Sequence, residues 1–564
     1  MAVRYLLIID RSEGDIPPKL VVPAGFTRVE VEAPGTFYIN DPAAFRPGES
    51  GDYSLLGLFF SGNCAPPDHL ETGRTLLQRG WGAFVAFRAD TGGYSFIRDP
   101  SGQLPCFFRT VGPRCYIASD IDLLRQADGR DIPVDWDEVS DTLLFTNHFA
   151  DRTALLGITE LLPGQELRVD QTSEQVLTAW TPWDHVTPAI MCPDVAVTSL
   201  RNAFDRVFQA LASHHQSPII TVSGGLDSSI VALGMSQFSD RAKLFTFFTH
   251  DDPLGDERHF AKDIAHACSA PLIEAPYRFP DFSTCCRTEM FLPRPTLRSI
   301  AGLVDSMLLD QAFVGGHSAI LGGYGGDNVF AMTASGYALR DCVESRRPVG
   351  EIVRTMRDLR RLTAASYLDL GRHAARVCIS RQRYSWPREV KFLSRDAASK
   401  VKPVRYHPWM EAPDGALSGS RAHIAAIIRS HNFLQWFPRT GSAENLSPLL
   451  MAPIMEACLS IPSWIWCADG RDRSIARRAS PSLPQSIAYR KSKGSPVALH
   501  TRFFETYRRE LSDLLCDGML VKKGIADRDA IFSYCALPTP VRDLAFLRIL
   551  EIADVEIWCR QHSS

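Results

Sequence analysis

Thr221-Val222-Ser223-Gly224-Gly225-Leu226-Asp227-Ser228-Ser229 follows the apolar run Pro218-Ile219-Ile220 and precedes the helix-like run from Ile230 to Gln237. The order reads as strand, glycine turn and helix N-terminus. Two adjacent glycines reach dihedrals barred to other residues and let a ligand come close to the main chain. Ser223, Ser228 and Ser229 add hydroxyl donors, and Gly224, Gly225 and Leu226 offer backbone amides. A helix start contributes unpaired N–H groups and the positive end of a dipole, so the stretch is an anion cradle. Asp227 stands beside it, which makes sense if a divalent cation sits between carboxylate and phosphate. No Lys follows the last Gly, which excludes the kinase-type phosphate loop. The competing reading is a Ser/Gly turn that merely caps a helix. It accounts less well for the whole string after a β-branched strand.

The flanking sequence extends this pattern. Lys243-Leu244-Phe245-Thr246-Phe247-Phe248 reads as a buried parallel strand. Ligands of doubly wound sheets lie at the carboxyl ends of strands, so Thr246 and Phe247 are placed where a nucleobase could be gripped. His250, Asp256 and Glu257 fit a polar strand end with a helix cap as well as they fit ligand contact. About a hundred residues after the first turn comes His317-Ser318-Ala319-Ile320-Leu321-Gly322-Gly323-Tyr324-Gly325-Gly326-Asp327-Asn328. It repeats the same logic. Gly323, Gly325 and Gly326 offer amides to phosphate, and Asp327 offers a carboxylate to a cation.

The chain has 564 residues, enough for two or more domains. Apolar residues are 45% and charged residues 22%, an ordinary globular composition. The net charge of −3 gives no global field for nucleic acid or an anionic membrane. No apolar run approaches the roughly 18–20 residues that span a bilayer, and the start reads as a first strand rather than a signal peptide. Fourteen cysteines are scattered without a C-x-x-C pair, and Cys285-Cys286 are vicinal. Reduced, buried thiols and a cytoplasmic location are expected.

Residues 1–182 read as a β-rich α+β layered domain. Strands are predicted at Tyr5–Ile9, Leu55–Phe60, Ala83–Phe87, Tyr94–Ile97, Phe107–Arg109, Cys115–Ala118 and Glu166–Val169, with helices near His69–Arg79 and Ile121–Gln126. A proline-bearing connection around 181–195 leads to a helix at Val195–Ser213 and a second domain spanning 195–564. Residues 335–440 read as mostly helical and rich in Arg, fitting solvated faces or an acidic partner. An amphipathic helix is predicted at about Val541–Arg560.

The Ser223–Ser229 string resembles the SGGxDS loop of the ATP pyrophosphatases, which cleave ATP between the α- and β-phosphates. Trp81–Phe87, Arg98–Phe108 and Gly157–Gln165 resemble, in order and spacing, the glutaminase domain of asparagine synthetases. That family's nucleophile is a cysteine heading the mature chain, whereas residue 2 here is Ala2 and the first cysteine is Cys64. The resemblance therefore implies an inactive, Ntn-type glutaminase-like domain followed by a PP-loop, doubly wound parallel-sheet synthetase domain with a helical C-terminal region. His317–Asn328 resembles the matching loop of asparagine synthetases and, more closely, the G-Y-G-A-D loop of β-lactam synthetases, where the equivalent of Tyr324 helps activate an amine. Packing is an equal alternative for Tyr324. Glu344, Glu351 and Asp358 are candidate acidic partners for it. Leu446–Pro462 resembles a helix of the synthetases without its Arg and Asp, and Leu483–Gly494 resembles the segment delivering their active-site lysine. Lys493, beside Gly494, is preferred over Lys491.

The resemblance implies ATP and Mg²⁺ as cofactors, with Asp227 and Asp327 holding the metal. It implies carboxylate adenylation followed by amide formation. The nearest likeness is to the macrolactam synthetases that close lasso peptides, with the β-lactam synthetases as the alternative. An ammonia- or amine-using amidotransferase of another pathway and a catalytically dead scaffold remain open. A lasso cyclase implies a precursor core peptide as substrate, and a leader-binding protein and a leader peptidase as partners, with no nucleic acid and no transmembrane segment.

Overall fold

The computed structural model describes residues 2–11, 24–31, 35–48, 52–62, 72–90, 93–186, 192–248, 256–277, 281–285, 292–296, 301–331, 336–363, 365–379, 386–400, 407–434, 443–490, 497–538 and 543–563. Its N-terminal part builds two antiparallel sheets. The first comprises β1 (Tyr5–Asp10), β2 (Thr27–Val29), β3 (Gly35–Ile39), β8 (Phe107–Val111), β9 (Arg114–Ala118) and β10 (Thr159–Glu160). The second comprises β4 (Phe45–Arg46), β5 (Ser54–Ser61), β6 (Gly80–Asp90), β7 (Gly93–Arg98), β11 (Gln165–Asp170) and β12 (Glu174–Thr178). The run Tyr5-Leu6-Leu7-Ile8-Ile9 is continuously apolar because β1 is buried on both faces. Tyr5, Leu7 and Ile9 pack against Val85, Phe87 and Phe96 of the other sheet. Leu6 and Ile8 face the opposite way, in one core with α1 (Gly73–Arg79), α2 (Ile121–Asp128) and α3 (Trp136–Leu144). Every predicted strand is present. Five strands of two to five residues (β2, β3, β4, β10 and β12) and α3 escape the apolar-run reading, because their residues are part polar.

The third sheet is parallel throughout. β13 (Ile219–Thr221), β14 (Lys243–Phe248), β15 (Leu272–Pro276), β16 (Ala319–Leu321) and β17 (Glu444–Leu446) lie in the order β15-β14-β13-β16-β17. The chain winds outward from β13 to one edge, returns to β16 beside β13, and continues to the other edge. This is the doubly wound arrangement, and its switch point lies between β13 and β16. Side-chain alternation covers both faces. Ile220, Leu244 and Leu321 join the core shared with α4 (Pro193–His214), α5 (Leu226–Ser236) and α6 (Arg258–Cys268). Ile219, Phe245 and Ile320 pack on Leu308 and Ala312 of the helix at Ala301–Val314. β17 corrects an expectation. The stretch from Leu446, read as helical, is a strand end, then a 3₁₀ turn at Pro448–Leu450, and only then a helix at Ala452–Leu459.

The two parts are joined by polar contacts that single-strand patterns do not reveal. Gln103 accepts from the Ser447 amide at 2.7 Å and donates to the Ser447 carbonyl at 3.2 Å. Glu160, fully buried, binds Arg98 at 2.8 Å and Arg294 at 2.6 Å. The C-terminal helix, Ala545–His562, is not one-sidedly amphipathic as expected. It buries Arg548, Glu556 and His562 along with its apolar residues, and Glu556 accepts the amides of Met519 (2.8 Å) and Leu520 (3.0 Å). Cysteines among the described residues are free thiols. No helix among the described residues is long and apolar enough to cross a membrane.

Candidate active site

Both glycine turns leave the carboxyl ends of adjacent strands at the switch point. The first joins β13 to α5 and the second follows β16. Thr221 Oγ1 donates to the Leu321 carbonyl at 3.3 Å and ties the two strand ends together. Helix α5 begins at Leu226 with Gly225 as its cap residue and no side-chain cap hydrogen bond to its first amides. Gly224 has φ +67°, and Phe260 lies where its Cβ would be. Gly225 is open on its outer side, where an added Cβ would meet only Ser223 Oγ at 3.2 Å, and Ser223 is exposed. The accessible points of the cradle are therefore Ser223 and Gly225, with Gly224 buried between them.

Several residues expected to face a ligand are committed elsewhere. Ser228 and Ser229 turn their hydroxyls back onto the Gly225 carbonyl, at 3.3 and 2.7 Å. Ser223 N donates to Ser228 Oγ at 3.3 Å. These bonds shape the loop rather than extend it. The second loop packs directly on the first. A Cβ on Gly323 would lie 2.5 Å from Asp227 C, and one on Gly326 would lie 2.5 Å from Asp227 Cγ. Gly325 takes a left-handed φ of +83° against Leu450. These glycines are required by loop-on-loop contact. Thr246 is buried, whereas Phe247 is 41% exposed near Tyr277, with ring centroids 6.3 Å apart. Both lie just beyond the end of β13, whose Thr221 pairs with Phe245.

Asp227 and Asp327 converge, and a residue not foreseen joins them. Arg473 Nη1 lies 3.0 Å from each Asp227 oxygen and also hydrogen-bonds Asp327 Oδ1. Arg473 Nε donates to Asp472 at 2.9 Å. Burial alone would lower the Arg473 pKa, but the charges of Asp227, Asp327 and Asp472 overcome it and raise it further. The Arg473 backbone is left-handed, φ +50°, as is Asp469 at +64°. For a residue with a Cβ this costs roughly 1–2 kcal/mol, which marks a turn held by its surroundings. Arg477 secures that turn by donating to the Asp472 carboxylate at 2.9 Å and the Asp472 carbonyl at 3.0 Å. The acid–base alternation from Asp469 to Arg473 is the only sequence signal for this element.

Two carboxylates that share one guanidinium nitrogen also suit one Mg²⁺. No group of three His, Cys, Asp or Glu side chains placed to hold a metal exists among the described residues, so phosphate oxygens would complete the shell beside these two carboxylates. That division is usual for Mg²⁺. Asp227 and Asp327 would hold such an ion, and it would neutralise charge on the leaving phosphates.

Arg490 anchors the far wall. Its guanidinium stacks 3.8 Å above Phe260, donates to the Gly224 carbonyl at 2.9 Å, and pairs with Glu257. Lys491 and Lys493 follow at once but lie outside the described residues, as do His250 and Cys64. Asp256 pairs with Arg258 at 2.7 Å. Tyr324 donates its hydroxyl to the Ser430 carbonyl at 2.8 Å and packs edge-on to Phe433. Glu344 and Glu351 bind Arg340 and Arg347, and Asp358 is buried near Asp469.

A separate cavity of about 40 Å³ lies between the two parts, lined by Ala2, Gly57, Ala83, Gln103, Glu444 and Asn445 among others. It has room for a few water molecules.

Residues 200–559 match the family model described as asparagine synthase, well over half of the chain. No curated protein matches the chain.

Proposed function

Because the chain belongs to the asparagine synthase family, whose members are ATP-dependent amide-forming ligases, we propose that it is an AMP-forming lasso peptide cyclase. A side-chain carboxylate of a leader-cleaved core peptide attacks the α-phosphate of ATP, and pyrophosphate leaves. The N-terminal amine of the same peptide then attacks the acyl carbon. The amide bond forms, AMP leaves, and the amine gives up a proton.

The residues divide the work as follows. The amides at the N-terminus of α5, with Ser223 and Gly225, receive the phosphates. Asp227 and Asp327 hold Mg²⁺. Phe247 offers an apolar face to the base. Lys493, or Lys491, brought in by the Arg490 anchor, stabilises charge at the α-phosphate and the acyl oxygen. Tyr324 aligns the amine, and its bond to Ser430 fixes the ring. Much of the rate gain comes from holding amine and acyl-adenylate together.

The observation that carries the glutamine-independent reading is the cavity beside Ala2. Ala2, on its wall, has no nucleophilic atom. This supports an amine that arrives with the substrate. The test is incubation with ATP, Mg²⁺ and a leader-cleaved precursor peptide. Loss of one water from the peptide mass, with AMP release, is expected. Consumption of glutamine or ammonia would overturn the proposal.

A further inference from the structure

We propose that Arg473 is a displaceable internal counter-ion, which neutralises Asp227 and Asp327 until a divalent cation takes the carboxylates and then turns towards the arriving phosphates. The inference rests on reading the carboxylate pair as the cation site. Four observations support it.

One nitrogen, Nη1, serves both carboxylates, so the guanidinium lies at the point where their charges meet. A divalent ion placed there with the arginine unmoved would bring two cations into contact. Arg473 is 6% exposed, while the Asp327 side chain is about one-third open, so the carboxylates have a solvent side from which a cation can enter. The turn that carries the arginine is anchored independently of its guanidinium, which must swing as one planar unit. Asp472 takes Nε, and Arg477 holds both the carboxylate and the carbonyl of Asp472. The guanidinium can therefore change partners while the turn stays in place. Finally, the turn carries left-handed, non-glycine residues at Asp469 and Arg473, a conformation a protein keeps where one side chain must be aimed. Arg473 is thus a positioning residue in the nucleotide-free protein and a candidate phosphate ligand in the loaded one.

The test measures Mn²⁺ binding by electron paramagnetic resonance on the full chain without nucleotide. Arg473→Met is expected to bind Mn²⁺ at least tenfold more tightly than the unmodified protein, and adding Asp227→Asn is expected to remove the gain. Arg473→Lys, which keeps the charge on a single contact point, is expected to fall between, and it replaces the Met variant if circular dichroism shows that variant unfolded. With α,β-methylene ATP present, the difference between the unmodified protein and Arg473→Met is expected to shrink or reverse. Equal Mn²⁺ affinities without nucleotide, whether weak or tight, would overturn the proposal. Failure of the functional reading is distinct, since it would appear as absent ATP–pyrophosphate exchange in the unmodified protein.

Discussion

Gly326 lies against Asp227 so closely that a single added carbon would meet the Asp227 carboxyl carbon at 2.5 Å. The contact sets the spacing of the two loops, and with it the distance between Asp227 and Asp327. Asp227 cannot retreat, because Arg473 holds both its oxygens. Gly326→Ala should therefore separate the loops, at a cost of about 1–3 kcal/mol as overpacking, and weaken ATP binding. Gly371→Ala is the control. Nothing lies within 4 Å of its Cβ position, and it sits in a helix. There the substitution should stabilise by roughly 0.5–1 kcal/mol. Thermal denaturation and ATP titration of the two variants check the contrast; matching behaviour would refute the loop-spacing argument.

Asp227→Asn keeps the shape of the side chain and removes its charge. Arg473 retains Asp327 and Asp472 as partners, so the fold should persist. AMP formation should fall by roughly a hundredfold or more, since the lost charge carries several kcal/mol at the phosphates. Circular dichroism and AMP release measured together decide the point, and retained AMP formation removes Asp227 from the site.

The cradle was legible because its parts are contiguous. Strand, Gly224-Gly225 and helix start lie within one nine-residue string, and the Asp327 loop repeats the pattern after β16. Arg473 was not legible. It is one arginine among Arg471, Arg473, Arg477 and Arg478, and only its tertiary contact with Asp227 and Asp327 singles it out. The same holds for the hydroxyls of Ser228 and Ser229. Their residue type suits a phosphate, yet a serine in the first turn of a helix can equally bond back to the cap carbonyl. β17 was hidden because Glu444-Asn445-Leu446 has too little apolar character to announce a strand. Its pairing with β16 comes from the sheet, not from its own residues.

Arg490 connects the first loop to the segment carrying Lys491 and Lys493. Arg490→Met keeps the stem over Phe260 but loses the bond to Gly224 and the pair with Glu257. Hydrogen bonds to charged groups are worth about 1.5–3 kcal/mol, so KM for ATP should rise roughly ten- to a hundredfold. Arg490→Lys should recover only part, because an ammonium cannot bridge both partners and stack as the planar guanidinium does. Initial rates at varied ATP separate KM from kcat, and an unchanged KM would refute the anchor role.

Glu160 is buried between Arg98 of the N-terminal sheets and Arg294. Glu160→Gln leaves two buried guanidinium groups without their shared counter-charge. Breaking a buried ion pair from one side costs about 3–5 kcal/mol, and denaturant unfolding should show a loss of that size. A change below about 1 kcal/mol, the range of exposed pairs, would mean that solvent reaches the network.

His423 gives the site a pH signature. Its Nε2 bonds the Val329 carbonyl at 2.8 Å, beside the helix that closes the second loop. Burial pushes its pKa down to about 4, with the bond to Val329 opposing the shift. The unfolded chain takes up this proton near pH 6.5 and the folded chain does not until about pH 4. Between those limits the unfolded state binds more protons, so the contribution of His423 to stability is complete above pH 6.5 and is lost as the pH falls. The slope approaches about 1.4 kcal/mol per pH unit within that window. Asp341, which accepts from the Gly419 amide on the helix that carries His423 (Ser418–His431), works in the opposite sense. Burial raises its pKa to about 6, so its folded state holds the proton and gains stability on acidification. Comparing the protein with its His423→Gln variant cancels that background. The stability difference between them should shrink steadily from pH 6.5 to 4 in urea unfolding, and a difference independent of pH would show that the His423 ring is charged, or exposed, in the folded state.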